Sequence, residues 1–214
     1  MTIASNLKAI TSSLPKEVAL VAVSKTKPNT AILEAYQTGQ RVFGENKVQE
    51  LVQKSEELPK DIAWHMIGHL QTNKVKFIAP FASLIHGVDS IKLLKEINKR
   101  AEQNNRRIDC LLQVHIATES SKFGFGSEEV KSALNQAEEF ENIKIAGLMG
   151  MATFTDDTQQ ISQEFKNLKT VFNIIQNDHI TSLSMGMSGD YNLAIEQGST
   201  MIRVGSAIFG HRNK

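Results

Sequence analysis

Short apolar runs alternate along the chain with longer stretches in which apolar residues recur every three or four positions. The short runs are rich in β-branched residues and predict strands, whereas the longer stretches have the period of amphipathic helices. The predicted strands are 18–24, 41–45, 62–68, 83–88, 109–116, 143–150, 182–187 and 201–205. The predicted helices between them are 29–38, 45–57, 70–80, 90–106, 127–140, 157–177 and 189–197.

This alternation predicts the fold class, which is α/β with a parallel sheet. Strands that are apolar throughout and joined by helices are buried on both faces, as in parallel sheets. Eight of them predict a closed (β/α)8 barrel, or TIM barrel, and an open doubly wound sheet is the alternative. The first fifteen residues have helical spacing and predict an extra N-terminal helix. With no linker or low-complexity tract, residues 1–214 are predicted to form a single domain.

Composition narrows the classes of function. Lysine plus arginine (24) nearly balance aspartate plus glutamate (23), so no overall field favours nucleic acid or an anionic membrane. The single cysteine, Cys110, lies in an apolar run and is typical of a core residue in a reducing compartment. The N-terminus lacks the features of a signal peptide, and no apolar run is long enough to span a bilayer. We therefore expect a cytoplasmic protein with no nucleic-acid or membrane partner.

Two glycine- and serine-rich loops follow the last two predicted strands. In a (β/α)8 barrel, ligands bind at the C-terminal ends of the strands, and the loops after strands seven and eight often hold a phosphate. Here these loops are 184–190 (SMGMSGD) and 203–210 (RVGSAIFG). Their small residues let backbone N–H groups approach an anion closely, which predicts a phosphate site between them. Taken singly, each loop is also compatible with an ordinary turn.

Lys25 ends the first predicted strand at the same mouth of the barrel. Side chains alternate along a strand, so Val21, Val23 and Lys25 share one face. A lysine partly desolvated near apolar side chains has a lowered pKa, and its neutral amine can attack an aldehyde to form a Schiff base. A solvated lysine at the rim of the barrel is the alternative interpretation of this position alone.

A metal site is not predicted. His65 and His69 have the i, i+4 spacing of helical metal ligands, but Gly68 and the strand-like run around His65 argue against one helix. The segment GENKVQE (44–50) is interpreted as a loop and the start of a helix rather than as a pair of catalytic carboxylates.

Seven short motifs together carry a resemblance to a known family. They occur in order along nearly the whole chain: AVSKTKP, FGENKVQE, WHMIGHLQTNK, SKFGF, GLMGMA, SMGMSGDYNLAI and GSTMIRVGSAIFG. Each is weak alone, but the ordered set resembles the pyridoxal phosphate homeostasis protein family. The resemblance implies a barrel similar to the N-terminal domain of alanine racemase. It also implies binding of pyridoxal 5'-phosphate (PLP) without established turnover.

The same resemblance implies a cellular function and a role for particular residues. Family members are thought to buffer PLP, to deliver it to apo-enzymes, and to influence amino-acid and keto-acid balance; we expect a non-catalytic monomer here. Lys25 would hold the cofactor as an internal aldimine, and Arg203 would lie beside the pyridine nitrogen. The other implied contacts are Asn46 and Ile67 to the ring, and Met185, Ser188, Gly205 and Ser206 to the phosphate.

An arginine at the pyridine nitrogen has a chemical consequence. A guanidinium stays protonated, so it donates a hydrogen bond to that nitrogen but hardly a proton. The pyridine then stays largely neutral, and the ring is a weaker electron sink than one that faces an aspartate. Arg203 therefore suits binding alone or limited carbanion chemistry.

Two positions are open. His115 stands where many relatives have asparagine, and it could titrate near neutral pH or have a structural role. Lys122 could accept PLP transiently during transfer or be an ordinary loop cation.

Two enzyme alternatives also exist. A PLP-dependent amino-acid racemase needs a second acid/base besides Lys25, and the two tyrosines, Tyr36 and Tyr191, are poorly placed for it. An aldolase-type enzyme acting on a phosphorylated substrate would explain Lys25 and the two loops, but not the arginine on strand eight.

Overall fold

The computed structural model describes residues 2–119 and 123–210. Its strands are β1 (Ala19–Val23), β2 (Val42–Glu45), β3 (Ala63–Met66), β4 (Leu84–Val88), β5 (Ile108–Gln113), β6 (Ile143–Met149), β7 (Ser182–Ser184) and β8 (Met201–Val204). Its α-helices are α1 (Ile3–Ser13), α2 (Asn29–Gln37), α3 (Val48–Glu57), α4 (Val75–Ile78), α5 (Ile91–Gln103), α6 (Val130–Ala137), α7 (Thr158–Ile175), α8 (Tyr191–Glu196) and α9 (Ser206–Phe209).

The eight strands form a closed parallel barrel in chain order, and β1 pairs with β8. This confirms the predicted (β/α)8 barrel and excludes the open sheet. The predicted helix 70–80 is wrong in its extent, because a 3₁₀ turn at Thr72–Lys74 leads into the one-turn helix α4. Pro80 accounts for the early end, since proline has no backbone N–H to donate the next helical hydrogen bond.

Two apolar layers hold the barrel together. The larger lies between the strands and the surrounding helices and includes Phe43, Leu51 and Phe165, all fully buried. The smaller fills the lumen and includes Val21, Leu111 and Met149. Because neighbouring strands in register present the same face, these lumen residues identify which side chains point inward. Cys110 is fully buried, as predicted, and burial raises the pKa of its thiol.

The predicted N-terminal helix is confirmed as α1. Thr2 caps it by accepting a hydrogen bond from the Ser5 N–H at 3.1 Å, and Leu7 and Ile10 are buried against the barrel. The Asn6 amide donates to the Ile208 carbonyl at 2.9 Å, so α1 is attached to α9 beyond β8. Within residues 2–119 and 123–210, none of the helices has the length and apolar character needed to cross a bilayer.

Candidate functional site

The residues singled out from the sequence converge at the C-terminal ends of the strands. Lys25 follows β1, Asn46 follows β2 and Ile67 follows β3, while the two glycine- and serine-rich loops follow β7 and β8. Arg203 is paired in register with Val21, whose side chain lies in the lumen, so Arg203 also points inward. The barrel therefore places a lysine, an arginine and two small-residue loops around one mouth.

The strand end that carries Lys25 is held by a buried ion pair behind it. The Lys54 ammonium, on α3, donates to Glu45 Oε1 at 2.7 Å and to the Ser24 carbonyl at 2.8 Å. The Ser24 hydroxyl donates to the same Glu45 oxygen at 2.6 Å. The side chains of Lys54 and Glu45 are only 6% and 0% exposed. This contact fixes the peptide unit immediately before Lys25.

The turn after Lys25 is held by the same group. Thr26 has a φ of 64°, a left-handed backbone that threonine rarely adopts. Its N–H donates to Glu50 Oε1 at 2.5 Å, and that oxygen also accepts from Lys54 at 2.7 Å. Burial raises the pKa of Glu45 above its usual range, although hydrogen bonds from Lys54 and Ser24 oppose that rise. We call Ser24, Glu45, Glu50 and Lys54 the Lys54 cluster.

Arg203 is 4% exposed, and three hydrogen bonds fix its guanidinium. Nη1 donates to the carbonyl and to the hydroxyl of Ser184, at 2.9 and 2.6 Å. Nη2 donates to the carbonyl of Gly150 at 3.0 Å. A guanidinium has five N–H groups, so Nε–H and one N–H of Nη2 have no acceptor among residues 2–119 and 123–210. The site thus presents a fixed donor that is not fully used by the protein.

The charge of Arg203 is not neutralised by a contact within the described chain. Burial lowers the pKa of Arg203 to about 10, partly opposed by the field of Asp190, so the group stays charged at neutral pH. No carboxylate of residues 2–119 or 123–210 lies within 4.0 Å of it as an ion pair. A buried charge costs free energy unless it is paired or fully hydrogen-bonded. This arrangement favours a ligand that brings acceptors to Arg203.

The loops after β7 and β8 meet at Ser188. Its hydroxyl oxygen accepts from the N–H groups of Gly205 and Ala207, at 3.1 and 3.4 Å. Gly186 has a φ of +95°, and an added Cβ would lie 2.6 Å from Ala194 Cβ, so this turn requires glycine. Converging backbone N–H groups and a hydroxyl are suited to bind an anion.

The other predicted site residues differ in their burial and in their position relative to the mouth. Ile67 packs against the lumen layer, and Asn46 is half-buried beside Gly68, where a Cβ would lie 2.5 Å from the Asn46 carbonyl oxygen. Ser206 is exposed at the start of α9. Met185 is different, because its side chain is fully buried among the residues packed outside the barrel and its N–H donates to Met201. Met185 therefore supports the loop, and its contact with a phosphate stays a prediction.

His115 and Lys122 are the two positions whose role the sequence leaves open. His115 Nε2 lies 2.9 Å from the Glu119 carbonyl oxygen, which gives this histidine a structural partner in the loop after β5. Lys122 lies outside the described residues.

The structure also explains the histidine spacing that resembled a metal site. His65 is on β3 and contacts His86, whereas His69 contacts Asp89 at 2.9 Å. Residues 2–119 and 123–210 contain no group of three or more His, Cys, Asp or Glu placed to hold a metal ion.

Sequence reasoning missed the Lys54 cluster and the roles of His65, His86 and Ser184. A lysine in an amphipathic helix is ordinarily a surface residue, so Lys54 gave no signal. His86 did give one, since it is a polar residue within the apolar run SLIHGV.

A groove of about 770 Å³ between α6 and α7 lies at the N-terminal ends of the strands, at the opposite end of the barrel from the mouth.

Comparisons with known proteins show the family of the chain. Residues 1–213 match the family described as alanine racemase, N-terminal domain. The pyridoxal phosphate homeostasis protein of Aquifex aeolicus is 39% identical over 197 residues, which cover 90% of this chain and 86% of that protein. The protein of the same name from Helicobacter pylori is 42% identical over 197 residues, which cover 90% and 87%.

The chain is also similar to solved structures. PipY of Synechococcus elongatus, solved without PLP, has a TM-score of 0.93 and 37% identity over 98% of this chain and 100% of that chain. The PLP-bound PipY has a TM-score of 0.89 and 36% identity, again over 98% and 100%. Alanine racemase from E. faecalis has a TM-score of 0.77 but 17% identity, over 98% of this chain and 58% of that chain, which shows the fold alone.

Fold and site define a parallel barrel of the alanine racemase N-terminal type, with a lysine after its first strand and an arginine in its last. The chain belongs to the pyridoxal phosphate homeostasis protein family.

Proposed function

We propose that this protein binds PLP at the mouth of the barrel, with a covalent link through Lys25, and takes part in cellular PLP homeostasis. In this proposal it buffers the cofactor in the cytoplasm and delivers it to apo-enzymes, acting as a monomer without catalytic turnover of its own. The names of its relatives and the PLP-bound PipY structure support this function. The uncompensated guanidinium of Arg203 is the observation that carries it.

The described residues fit the cofactor at three points. PLP supplies an aldehyde that a lysine amine attacks with loss of water, a pyridine nitrogen that accepts hydrogen bonds, and a phosphate. The Lys54 cluster holds the backbone on both sides of Lys25, so the Lys25 side chain projects from a fixed turn. Such a fixed origin orients the amine toward the mouth and lowers the entropy lost on reaction.

Arg203 is the second point of fit. Its two remaining N–H groups and its charge require an acceptor, and a neutral pyridine nitrogen is one. Because the pKa of Arg203 is still about 10, the guanidinium keeps its proton at neutral pH. A site of this kind binds the ring without turning it into a strong electron sink, which agrees with holding the cofactor rather than using it.

The loops at Ser188 are the third point of fit. The N–H groups of Gly205 and Ala207 and the Ser188 hydroxyl lie together, and Ser206 adds a hydroxyl at the rim. We propose these groups as the phosphate contacts. Asn46 and Ile67 line the side of the mouth toward β2 and β3, where they would border the ring.

An amino-acid racemase is the alternative function for the same site. It requires a second acid/base opposite Lys25. The Tyr36 hydroxyl is 2.8 Å from an Asp61 carboxylate oxygen, and Asp61 precedes β3 at the opposite end of the barrel from the mouth. Tyr191, at the start of α8, packs against the layer outside the barrel. Neither placement favours a second base, which supports the non-catalytic proposal.

The test is the visible spectrum of the purified protein and of Lys25→Ala, before and after borohydride reduction, with peptide mapping of the reduced adduct. We expect a yellow protein, PLP trapped on the peptide that contains Lys25, and loss of the band in Lys25→Ala. Lys27→Ala is the matched control, since Lys27 is two residues away and donates to the carbonyls of Phe209 and Gly210. A colourless protein that takes up no added PLP would overturn the proposed function. Amino-acid racemisation assays on the same samples separate a carrier from an enzyme.

A further inference from the structure

Four buried polar side chains form one hydrogen-bonded chain across the lumen. His65 Nδ1 on β3 is 3.0 Å from His86 Nε2 on β4, and His86 Nδ1 is 3.1 Å from the Ser184 hydroxyl on β7. That hydroxyl accepts from Arg203 on β8. His65 is 7% exposed, and His86 and Ser184 are fully buried. We call His65, His86 and Ser184 the histidine chain; it ends on the guanidinium assigned above to the cofactor.

The number of polar hydrogens determines which group donates in each hydrogen bond of this chain. Arg203 donates to the Ser184 oxygen, so the hydroxyl hydrogen of Ser184 needs a different acceptor. Among the described residues, His86 Nδ1 is the other partner of that oxygen, so Nδ1 carries no hydrogen. Neutral His86 then has its hydrogen on Nε2 and donates to His65 Nδ1. His65 in turn carries its hydrogen on Nε2, and every bond in the chain has one donor and one acceptor.

The surroundings agree with two neutral imidazoles. Burial lowers the pKa of His65 to about 4. The pKa of His86 lies well below its usual range because of burial and the fields of His65 and Arg203. A proton on His86 Nδ1 would point at a hydroxyl that already accepts from Arg203, and the Ser184 hydrogen would lose its acceptor.

We propose that His65, His86 and Ser184 are positioning residues for Arg203. They fix the guanidinium from behind with a neutral, one-directional set of hydrogen bonds, so that Nε–H and one N–H of Nη2 stay directed to the ligand. The role rests on the proposed function, since the ligand is the pyridine nitrogen of PLP. A neutral chain adds no charge of its own at the ring.

The first test gives its result whether or not the protein binds the cofactor. Protein labelled with ¹⁵N-histidine is studied by long-range ¹H–¹⁵N correlation between pH 5.5 and 8, with and without PLP. We expect His65 and His86 to be neutral, with their hydrogens on Nε2, across this range. A hydrogen on His86 Nδ1, or titration of His86 near neutral pH, would overturn the proposal.

The second test uses matched variants of His86. His86→Leu removes the acceptor of the Ser184 hydroxyl, whereas His86→Asn supplies an amide oxygen close to the place of Nδ1. We expect His86→Leu to weaken PLP binding about tenfold and to shift the visible band or its pH dependence. We expect His86→Asn to recover most of both properties. His179→Leu, at the opposite end of the barrel, is the control for a general effect of losing a histidine.

The outcomes separate the two proposals. Wild-type protein that binds PLP, with His86→Leu unchanged in affinity and spectrum, would overturn the positioning role alone. Equal loss of binding in His86→Leu and His86→Asn, together with equal loss of thermal stability, would indicate a merely structural role. Wild-type protein that takes up no PLP would overturn the proposed function and this role with it.

Discussion

The Lys54 cluster and the histidine chain support the two basic residues of the mouth, Lys25 and Arg203, by different physical means. The Lys54 cluster is an ion pair with an added carboxylate, lies between the strands and α3, and fixes the backbone on both sides of Lys25. The histidine chain is neutral, lies in the lumen, and fixes a side chain, Arg203. The Lys54 cluster pairs opposite charges within itself, whereas the histidine chain contacts the charged Arg203 only through hydrogen bonds that its neutral groups accept.

This difference predicts which property each region controls. Removing one partner of a buried ion pair leaves an uncompensated charge and strongly destabilises the fold. Removing one hydrogen bond from a neutral chain costs less, but it changes the direction of the donor that meets the ligand. Substitutions in the Lys54 cluster should therefore act mainly on the free energy of unfolding. Those in the histidine chain should act mainly on ligand binding and on the response to pH.

The largest expected effect is that of Lys54→Met. Glu45, which is fully buried, would keep its carboxylate and lose its ammonium partner. We expect the free energy of unfolding to fall by about 3–5 kcal/mol, measured by urea denaturation. The double variant Lys54→Met with Glu45→Gln removes both charges and should recover a large part of the loss. A fall of the same size in the double variant would mean that packing, not charge, is the cause.

Lowering the pH should reduce the free energy of unfolding through the histidine chain. The folded pKa of His65 is about 4, below the ordinary value of about 6.5 in the unfolded chain, so the unfolded state binds more protons below pH 6.5. The contribution of His65 is complete above pH 6.5 and is lost as the pH falls toward 4. At pH 5 this loss is about 2 kcal/mol in the free energy of unfolding. His86 acts in the same direction, and Glu45, whose folded pKa is raised, acts in the opposite one.

Urea denaturation of the cofactor-free protein at several pH values between 7 and 5 measures this slope. His65→Gln should flatten it, and the same change at exposed His179 should not. If the free energy of unfolding has the same slope against pH in wild type and His65→Gln, the titration of His65 does not cause the loss of stability in acid.

The two regions also differ in how far the sequence predicts them. The alternation of apolar runs predicted the barrel, and the position of Lys25 and Arg203 at strand ends predicted the mouth, because both follow from local pattern and from topology. The Lys54 cluster depends on the rotation of α3 against β1 and β2, which amphipathic spacing does not determine. His86 and Ser184 are on strands three apart, and only the closed lumen brings them within 3.1 Å.

The smallest expected effect is that of His115→Asn, because His115 lies outside the histidine chain. It follows β5, bonds to the Glu119 carbonyl in its own loop and makes no described contact with Arg203. His115→Asn is too short to keep that bond, so we expect a loss of about 1 kcal/mol in the free energy of unfolding by urea denaturation. The visible band and PLP affinity should not change, in contrast to His86→Leu. A change in the spectrum of His115→Asn would place this residue in the cofactor site and extend the neutral region to β5.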